Sequence, residues 1–254
     1  MKIKKGLIVL SLLSAFMMAG CEGALPEDAS VEETSQGEKT SRESVEPFVN
    51  DPLPFNEQEI ANNILNLGIN TGFELVCEAR DVNAESAEEF TVGVKGYTAW
   101  GIYKNYAGGV VLNTDGSATG YYKEDINQEY YKANQISADT LKDSTPQQYF
   151  EQYAGSISSS IYYANTSAET LNYKRGEEKE FLGRQVAEYN FYRRGHKEVG
   201  FKAYIDLELG ITLYWSGELT DGVNTIGGTF EVKSFKVGDD VEVPEFPVDP
   251  NLLA

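Results

Sequence analysis

Residues 203–213 read Ala-Tyr-Ile-Asp-Leu-Glu-Leu-Gly-Ile-Thr-Leu, which predicts a hairpin between two apolar strands. Asp206 and Gly210 bracket the turn of this hairpin. Glycine at position 210 can adopt the left-handed backbone conformation that such a turn needs, and the carboxylate of Asp206 can accept hydrogen bonds from turn amides. We therefore predict a structural role for Asp206.

Short segments rich in Tyr, Phe, Val and Thr lie on both sides of this hairpin and predict an antiparallel meander. The predicted strands are 72–80, 89–95, 96–104, 109–113, 118–123, 128–133, 168–175, 178–183, 185–193, 197–206, 210–217 and 226–237. Oxygen-bearing side chains over 113–119 partly resemble a calcium loop, but Ala118 stands where such a loop requires glycine. A hairpin turn is the expected structure there.

A first helix is predicted just before the strands. Asn56 can cap its start together with Glu59, three residues on, and Phe55 can pack against Ile60 as a hydrophobic staple. Apolar residues then recur with helical spacing as far as Gly68, which we expect to end the helix.

A second helix is predicted within the run of strands. Thr145 can act as its N-cap, Pro146 suits the first helical position, and Gln148 completes a capping box. Gly155 is the expected end, and residues 156–163 are compatible with either helix or strand. Strands, a helical insertion and strands again predict an α+β fold. In it, one curved antiparallel sheet wraps around two or three helices.

Four segments resemble the outer-membrane lipoprotein-carrier superfamily, which includes LolA-like and RseB-like proteins. They are residues 181–189, which resemble its Leu-Gly-x-x-(apolar)-x-x-Tyr strand, the hairpin at 203–213, the closing strand at 230–237 and the ending at 243–247. The resemblance implies an open half-barrel that encloses an apolar groove for acyl chains, with no catalysis. We expect apolar residues of the two helices to line this groove: Ile60, Ile64, Leu65, Tyr149, Phe150 and Tyr153.

The N-terminus looks like a bacterial lipoprotein signal. Three lysines precede an apolar run that is too short to span a bilayer, and Ala19-Gly20-Cys21 follows it. We predict a signal peptide over 1–20, lipid on Cys21, and a disordered acidic linker over 21–54 that precedes a single domain over 55–254. The chain is then expected at the cell membrane, on its extracytoplasmic face. Because carriers of the family are soluble, an anchored member would hold or sense its ligand rather than ferry it.

Charge and cysteine content narrow the possible partners. Removing residues 1–20 takes away three lysines, which leaves 18 basic residues against 40 acidic ones and a charge of −22. Such a chain has no basic stripe for phosphates, so nucleic acid is excluded. If Cys21 is acylated, Cys77 has no partner, and we expect it to be a buried, inert thiol.

No residue pattern indicates catalysis, a metal or a cofactor. His196 is the single histidine, which is too few for a His-based zinc site. It lies in a predicted hairpin tip that is the one basic cluster and a possible partner contact: Arg193, Arg194, His196 and Lys197. The acids are so numerous that no spacing singles out a catalytic pair.

Three functions remain open at this point. The leading one is a monomeric, non-catalytic lipoprotein that binds a lipid, an acyl chain or a lipidated partner in its groove. The second is a protein-interaction or sensing module of the cell envelope. The third is a carboxylate-based hydrolase.

Overall fold

The computed structural model describes residues 50–137, 139, 141, 144–159, 171–193, 198–220 and 225–249. From Asp51 onward the chain forms one compact unit. The predicted signal segment, Cys21 and the linker up to residue 49 lie outside the described residues.

Two α-helices, one short 3-10 turn (Gly238–Asp240) and eleven strands are present in the described residues. The helices are α1 (Glu57–Asn70) and α2 (Pro146–Ser159). The strands are β1 (Phe73–Asp81), β2 (Glu88–Lys95), β3 (Thr98–Ile102), β4 (Ala107–Leu112), β5 (Ala118–Lys123), β6 (Lys132–Ile136), β7 (Leu171–Phe181), β8 (Arg184–Arg193), β9 (Val199–Asp206), β10 (Thr212–Thr220) and β11 (Thr225–Val237). None of the described helices is long and apolar enough to cross a membrane.

All the described strands belong to one antiparallel sheet in the order β6-β5-β4-β3-β2-β1-β11-β10-β9-β8-β7. β6 and β7 are its two edges, so the sheet is open rather than closed into a barrel. The predicted α+β class, with an open antiparallel sheet and helices against it, is confirmed.

Both helices lie on the same face of the sheet. A Cβ atom at Gly68 of α1 would lie 2.6 Å from the Val94 side chain, and the hydroxyl of Tyr153 in α2 lies 3.5 Å from the Cβ position of Gly108. The register of β2, β3 and β4 places Val94 and Gly108 on one face. We call this the helix face; α1 packs against β2, and α2 packs across β2 to β5.

The C-terminal tail covers part of the opposite, outer face. The ring of Phe246 lies against Gly109, where a side chain would collide with it. The same ring stacks on Tyr121 with centroids 4.8 Å apart and meets Tyr131 edge-on at 5.2 Å. The amide of Tyr131 donates to the carbonyl of Pro247 at 2.7 Å, which fixes the tail beside β6.

The predicted helix starts are confirmed by their caps. The amide of Glu59 donates to the Asn56 side chain at 3.0 Å, and the Asn56 amide donates back to the Glu59 carboxylate at 2.8 Å. Thr145 and Gln148 form the equivalent pair at 3.1 and 2.8 Å. Gly155 does not end α2, which continues to Ser159, because a glycine inside a helix lowers its stability without breaking it.

The predicted end of α1 at Gly68 is wrong. The helix continues to Asn70, and Gly72, with φ +94°, turns the chain away while its amide donates to the Leu67 carbonyl at 2.9 Å. Gly68 is a packing residue instead, since any side chain there would overlap Val94. Spacing alone does not distinguish a glycine that ends a helix from one that lets it approach a sheet.

Two strand predictions also differ from the structure. Segments 168–175 and 178–183 were expected as separate strands, whereas β7 is one strand with a register irregularity between Arg175 and Glu178. The strand expected at 128–133 lies further along the chain, as β6. The turn over 113–117 is a hairpin turn between β4 and β5, with Gly116 at φ +82° and the Asn113 amide donating to the Ser117 carbonyl at 2.7 Å.

The hairpin at 203–213 forms as predicted. One carboxylate oxygen of Asp206 accepts from the amides of Glu208 at 3.0 Å and Leu209 at 2.6 Å, and Gly210 has φ +79°. An unpredicted partner completes the arrangement, because the Arg184 guanidinium pairs with the Asp206 carboxylate through Nε and Nη2. Asp206 is fully buried, so this ion pair and the turn amides together satisfy its charge.

Candidate functional site

The predicted groove residues lie on the two helices, which contact each other and pack against β2 to β5. Ile60, Ile64, Phe150 and Tyr153 are each less than 5% exposed, while Leu65 and Tyr149 are half-buried. Four of the six side chains are therefore part of the packed interior in this structure. Their role in lining a ligand groove stays a prediction.

Aromatic rings continue along the helix face beside α2. Tyr103 stacks on Phe90 with centroids 5.4 Å apart and on Tyr106 at 4.5 Å. Burial raises the pKa of Tyr106, and it does the same for Tyr149 and Tyr153 in α2. These phenols are therefore neutral at physiological pH and bring no charge to this part of the sheet.

A second apolar cluster lies at the other end of the sheet, on β8 and β9. We call it the β8–β9 cluster. Its members are all buried and alternate along each strand: Ala187, Tyr189, Phe191, Phe201, Ala203 and Ile205. Pairing through β1, β11, β10 and β9 carries the alternation of the helix face to these residues, so the cluster lies on the same face as the helices.

Partly buried aromatic rings extend this cluster onto β7 and β10. Trp215 meets Phe201 edge-on with centroids 5.9 Å apart, and Tyr173 lies 5.6 Å from Phe191. The cluster therefore has a rim of partly exposed rings around a fully buried centre.

Residues 51–55, which we call the strap, cross the β8–β9 cluster before α1 begins. Leu53 packs against the cluster, and the hydroxyl of Tyr189 donates to the carbonyl of Pro52 at 3.0 Å. The amide of Arg175 donates to the Asp51 carboxylate at 2.8 Å. The strap itself has no strand or helix conformation.

The outer face of the same strands carries charged groups that are paired with one another. Glu188 contacts the ammonium groups of Lys179 at 3.1 Å and Lys202 at 3.0 Å. Partial burial opposes ionisation of Glu188, but these two lysines outweigh it and lower the pKa of its carboxyl group. Lys179 also lies 3.4 Å from the ring centroid of Tyr204. This arrangement stabilises an exposed sheet surface by ordinary cross-strand contacts.

The predicted partner-contact tip is only partly visible. Arg193 ends β8, its side chain is outside the description, and Arg194, His196 and Lys197 lie outside the described residues. Contact of this tip with a partner stays a prediction.

Cys77 is buried, and its burial raises the pKa of its thiol far above the ordinary value. The expected burial of Cys77 in β1 is confirmed, and its lack of reactivity stays a prediction.

The β8–β9 cluster and the strap are the features that sequence reasoning missed as site components. The cluster does have a sequence signal, because its members occupy alternate positions in two predicted strands, as the buried face of a sheet requires. The strap has no clear signal, since Leu53 lies between two prolines in a stretch interpreted as linker.

No family model and no curated protein matches this sequence. Among solved structures, the complex of MucA and MucB from Pseudomonas aeruginosa is similar, at 11% identity and a TM-score of 0.33 over 78% of this chain and 60% of that chain. A DUF1329 family protein from Desulfovibrio piger matches at 8% identity and a TM-score of 0.26 over 78% of this chain and 98% of that chain. A LolA superfamily protein from Nitrosomonas europaea matches at 7% identity and a TM-score of 0.22 over 75% of this chain and 96% of that chain.

This chain spans about 60% of the MucB structures that it matches. The similar structures thus include LolA-like and RseB-like proteins, the groups that the sequence resembles.

Proposed function

We propose that this chain is a membrane-anchored extracytoplasmic lipoprotein that holds a hydrophobic ligand in its half-barrel and catalyses no reaction. The ligand is a lipid, an acyl chain or the lipidated end of a partner protein. The observation that carries the proposal is the β8–β9 cluster, a buried apolar surface on the helix face over which the strap lies.

The two halves of the helix face are covered in different ways, which supports a ligand site in one of them. β2 to β5 carry α2 across them, and α1 packs on β2, so the side chains of both helices fill that half. Among the residues that the structure describes, the segment that crosses the β8–β9 cluster is the strap, which contributes one leucine and lacks regular structure. An acyl chain could replace that leucine, since each buried methylene contributes about 0.8 kcal/mol.

The N-terminal sequence supports the location of such a site. Lipid on Cys21 would hold the protein at the membrane, and the acidic residues between it and the strap favour an extended tether. A protein anchored in this way holds or senses its ligand near the bilayer surface instead of carrying it away.

Two experiments test the two parts of the proposal. Metabolic labelling with palmitate should mark the full chain and should fail with Cys21→Ser, and labelling that survives this substitution would remove the lipoprotein part. For the ligand, residues 21–254 with Cys21→Ser, which keep the whole compact unit, are produced in a bacterial periplasm and studied by native mass spectrometry. We expect bound masses that correspond to lipids, and these should be lost with Phe201→Gln in the cluster but retained with the outer-face variant Tyr121→Gln. Protein that is consistently free of lipid would contradict the binding function.

A further inference from the structure

We infer that the strap is a built-in competitor of the ligand: it occupies the ligand site on the β8–β9 cluster and must leave when the ligand enters. This inference rests on the proposed function and identifies the binding site within it. The contacts of the strap also indicate the chemistry of the ligand.

Two strap contacts, those of Leu53 and Pro52, each stand in for one part of an acyl compound. The aliphatic side chain of Leu53 occupies the apolar surface, where a hydrocarbon chain would lie. The carbonyl of Pro52 accepts from the hydroxyl of Tyr189 at 3.0 Å, where an ester or amide carbonyl would accept. A ligand that replaces both contacts still gives the buried Tyr189 hydroxyl an acceptor. Exchange of the strap for the ligand therefore carries no penalty for an unsatisfied buried donor.

The contact with Tyr189 favours a neutral acceptor. Burial raises the pKa of this tyrosine, so its hydroxyl is a neutral donor at physiological pH. The acid on the strap, Asp51, lies outside the apolar surface, where the Arg175 amide binds it and Lys174 lies 3.7 Å away. The contacts therefore fit an acyl chain with an ester or amide carbonyl better than a free fatty acid whose carboxylate would reach the cluster.

The strap is also suited to leave. Within the described part of the chain, the strap forms an ion pair between Asp51 and Lys174, whose side chains are 38% and 43% exposed, and exposed pairs of this kind hold weakly. The strap contacts the sheet through the side chains of Asp51 and Leu53 and the carbonyl of Pro52, and it adds no strand to the sheet. Because it lacks the backbone ladder by which extended peptides bind sheets, its site favours an acyl ligand over a peptide.

Calorimetric titration with 1-monolauroylglycerol, a neutral acyl ester, tests the inference on residues 21–254 carrying Cys21→Ser. Leu53→Gln weakens the contact of the strap with the β8–β9 cluster and leaves the residues of the cluster unchanged. Val248→Ala is the matched control, since Val248 is half-buried on the outer face. If the strap covers the site nine-tenths of the time, Leu53→Gln should bind about tenfold more tightly, because apparent affinity scales with the open fraction. The control should bind like the parent.

The possible outcomes separate the strap from the binding function. Equal affinity of the parent and Leu53→Gln for the ester would contradict competition by the strap, while the ligand-binding function would stand. Weaker binding by Leu53→Gln would show that Leu53 contributes to the ligand site and does not compete for it. Absence of ester binding in the parent and in every variant would contradict both the competing strap and the ligand-binding function. If a synthetic peptide of residues 51–55 binds Leu53→Gln while the ester does not, the acyl assignment is wrong.

Hydrogen exchange gives a second measurement that needs no variant. The amide of Arg175 is bonded to Asp51 of the strap. We expect it to exchange faster when the protein is saturated with 1-monolauroylglycerol. The amide of Tyr131, which is bonded to the tail on the outer face, should not change. Unchanged or slower exchange at Arg175 in the saturated protein would overturn the inference.

Discussion

Replacing Asp206 by alanine should destabilise the protein more than any other single change in the turn between β9 and β10. The side chain of Asp206 is 1% exposed and that of Arg184 is 18% exposed. The carboxylate also accepts from the amides of Glu208 and Leu209. Alanine at this position would therefore leave a largely buried guanidinium and two turn amides without their acceptor.

The magnitude follows from these contacts. Removing one partner of a buried ion pair costs about 3–5 kcal/mol, and the partial exposure of Arg184 places this case near the lower value. Each lost turn hydrogen bond adds roughly 1 kcal/mol. We expect a loss of about 5 kcal/mol in the free energy of unfolding. For a domain of this size, this loss corresponds to a decrease of roughly 10–20 °C in Tm.

Urea unfolding followed by circular dichroism at pH 7 measures this loss, and three variants resolve its parts. Asp206→Asn keeps an acceptor for the turn amides, so it should cost less than Asp206→Ala. Arg184→Met should cost less when Asp206 is already alanine, because the buried partner of Arg184 is already gone and only the exposed Glu208 remains. Glu208→Gln is the control, since Glu208 is 79% exposed where it meets Arg184 and should cost less than about 0.5 kcal/mol. If Asp206→Ala costs no more than this control, the buried ion pair does not stabilise the hairpin as argued.

Three further outcomes are expected. Gly210→Ala should cost about 2–3 kcal/mol, because its φ of +79° disfavours a side chain by roughly 1–2 kcal/mol and the new methyl group would overlap two neighbouring side chains. Gly116 has φ +82° and open space around it, so Gly116→Ala should lose only the backbone part of this free energy in the same urea assay. If Gly116→Ala and Gly210→Ala lose equal stability, the overlap with neighbouring side chains at Gly210 does not contribute. The Cys77 thiol should not react with a disulfide reagent in the folded protein and should react fully in denaturant; rapid reaction under native conditions would show that β1 opens locally. Glu188 has a pKa lowered in the folded state, so its contribution is present above the ordinary glutamate value of about 4.3 and is lost as the pH falls through the folded pKa. Glu188→Gln should thus lower stability by up to about 1 kcal/mol at pH 7 and by little at pH 3, and a loss independent of pH would contradict this.

The elements that the sequence predicted well are those with local causes. The two capping boxes use side chains three residues apart, so the starts of α1 and α2 follow from a few residues. The turn at Asp206 and Gly210 likewise contains its own donors, acceptors and left-handed residue. The alternation of apolar residues indicates strands, and their order predicts a curved antiparallel sheet; its open form is what the family resemblance implies.

The features that could not be predicted depend on residues far apart in the chain. Arg184 is a hairpin residue in the sequence, and its pairing with Asp206 requires the register of β8 on β9. Spacing predicts Gly68 as a helix end because nothing in the sequence shows that β2 lies against it. Leu53 was assigned to the linker because its contacts are with β8 and β9, more than a hundred residues later. The division of the helix face into a part covered by helices and a part crossed by the strap is therefore a result of tertiary structure.

The hairpin that determines the fold is also where a displaced strap would pivot. A Cβ atom at Gly210 would lie 2.6 Å from Phe55, at the end of the strap, and 2.7 Å from Ile60 in α1. The capping box between Asn56 and Glu59 fixes the start of α1 independently of the strap. Residues before Phe55 can therefore leave the β8–β9 cluster without unwinding the helix, because the backbone groups that the helix needs are satisfied by its own cap. If the strap could move only by unfolding α1, its displacement would require far more free energy than the burial of one acyl chain provides. Because the start of α1 is capped independently of the strap, the exchange between strap and ligand is physically reasonable.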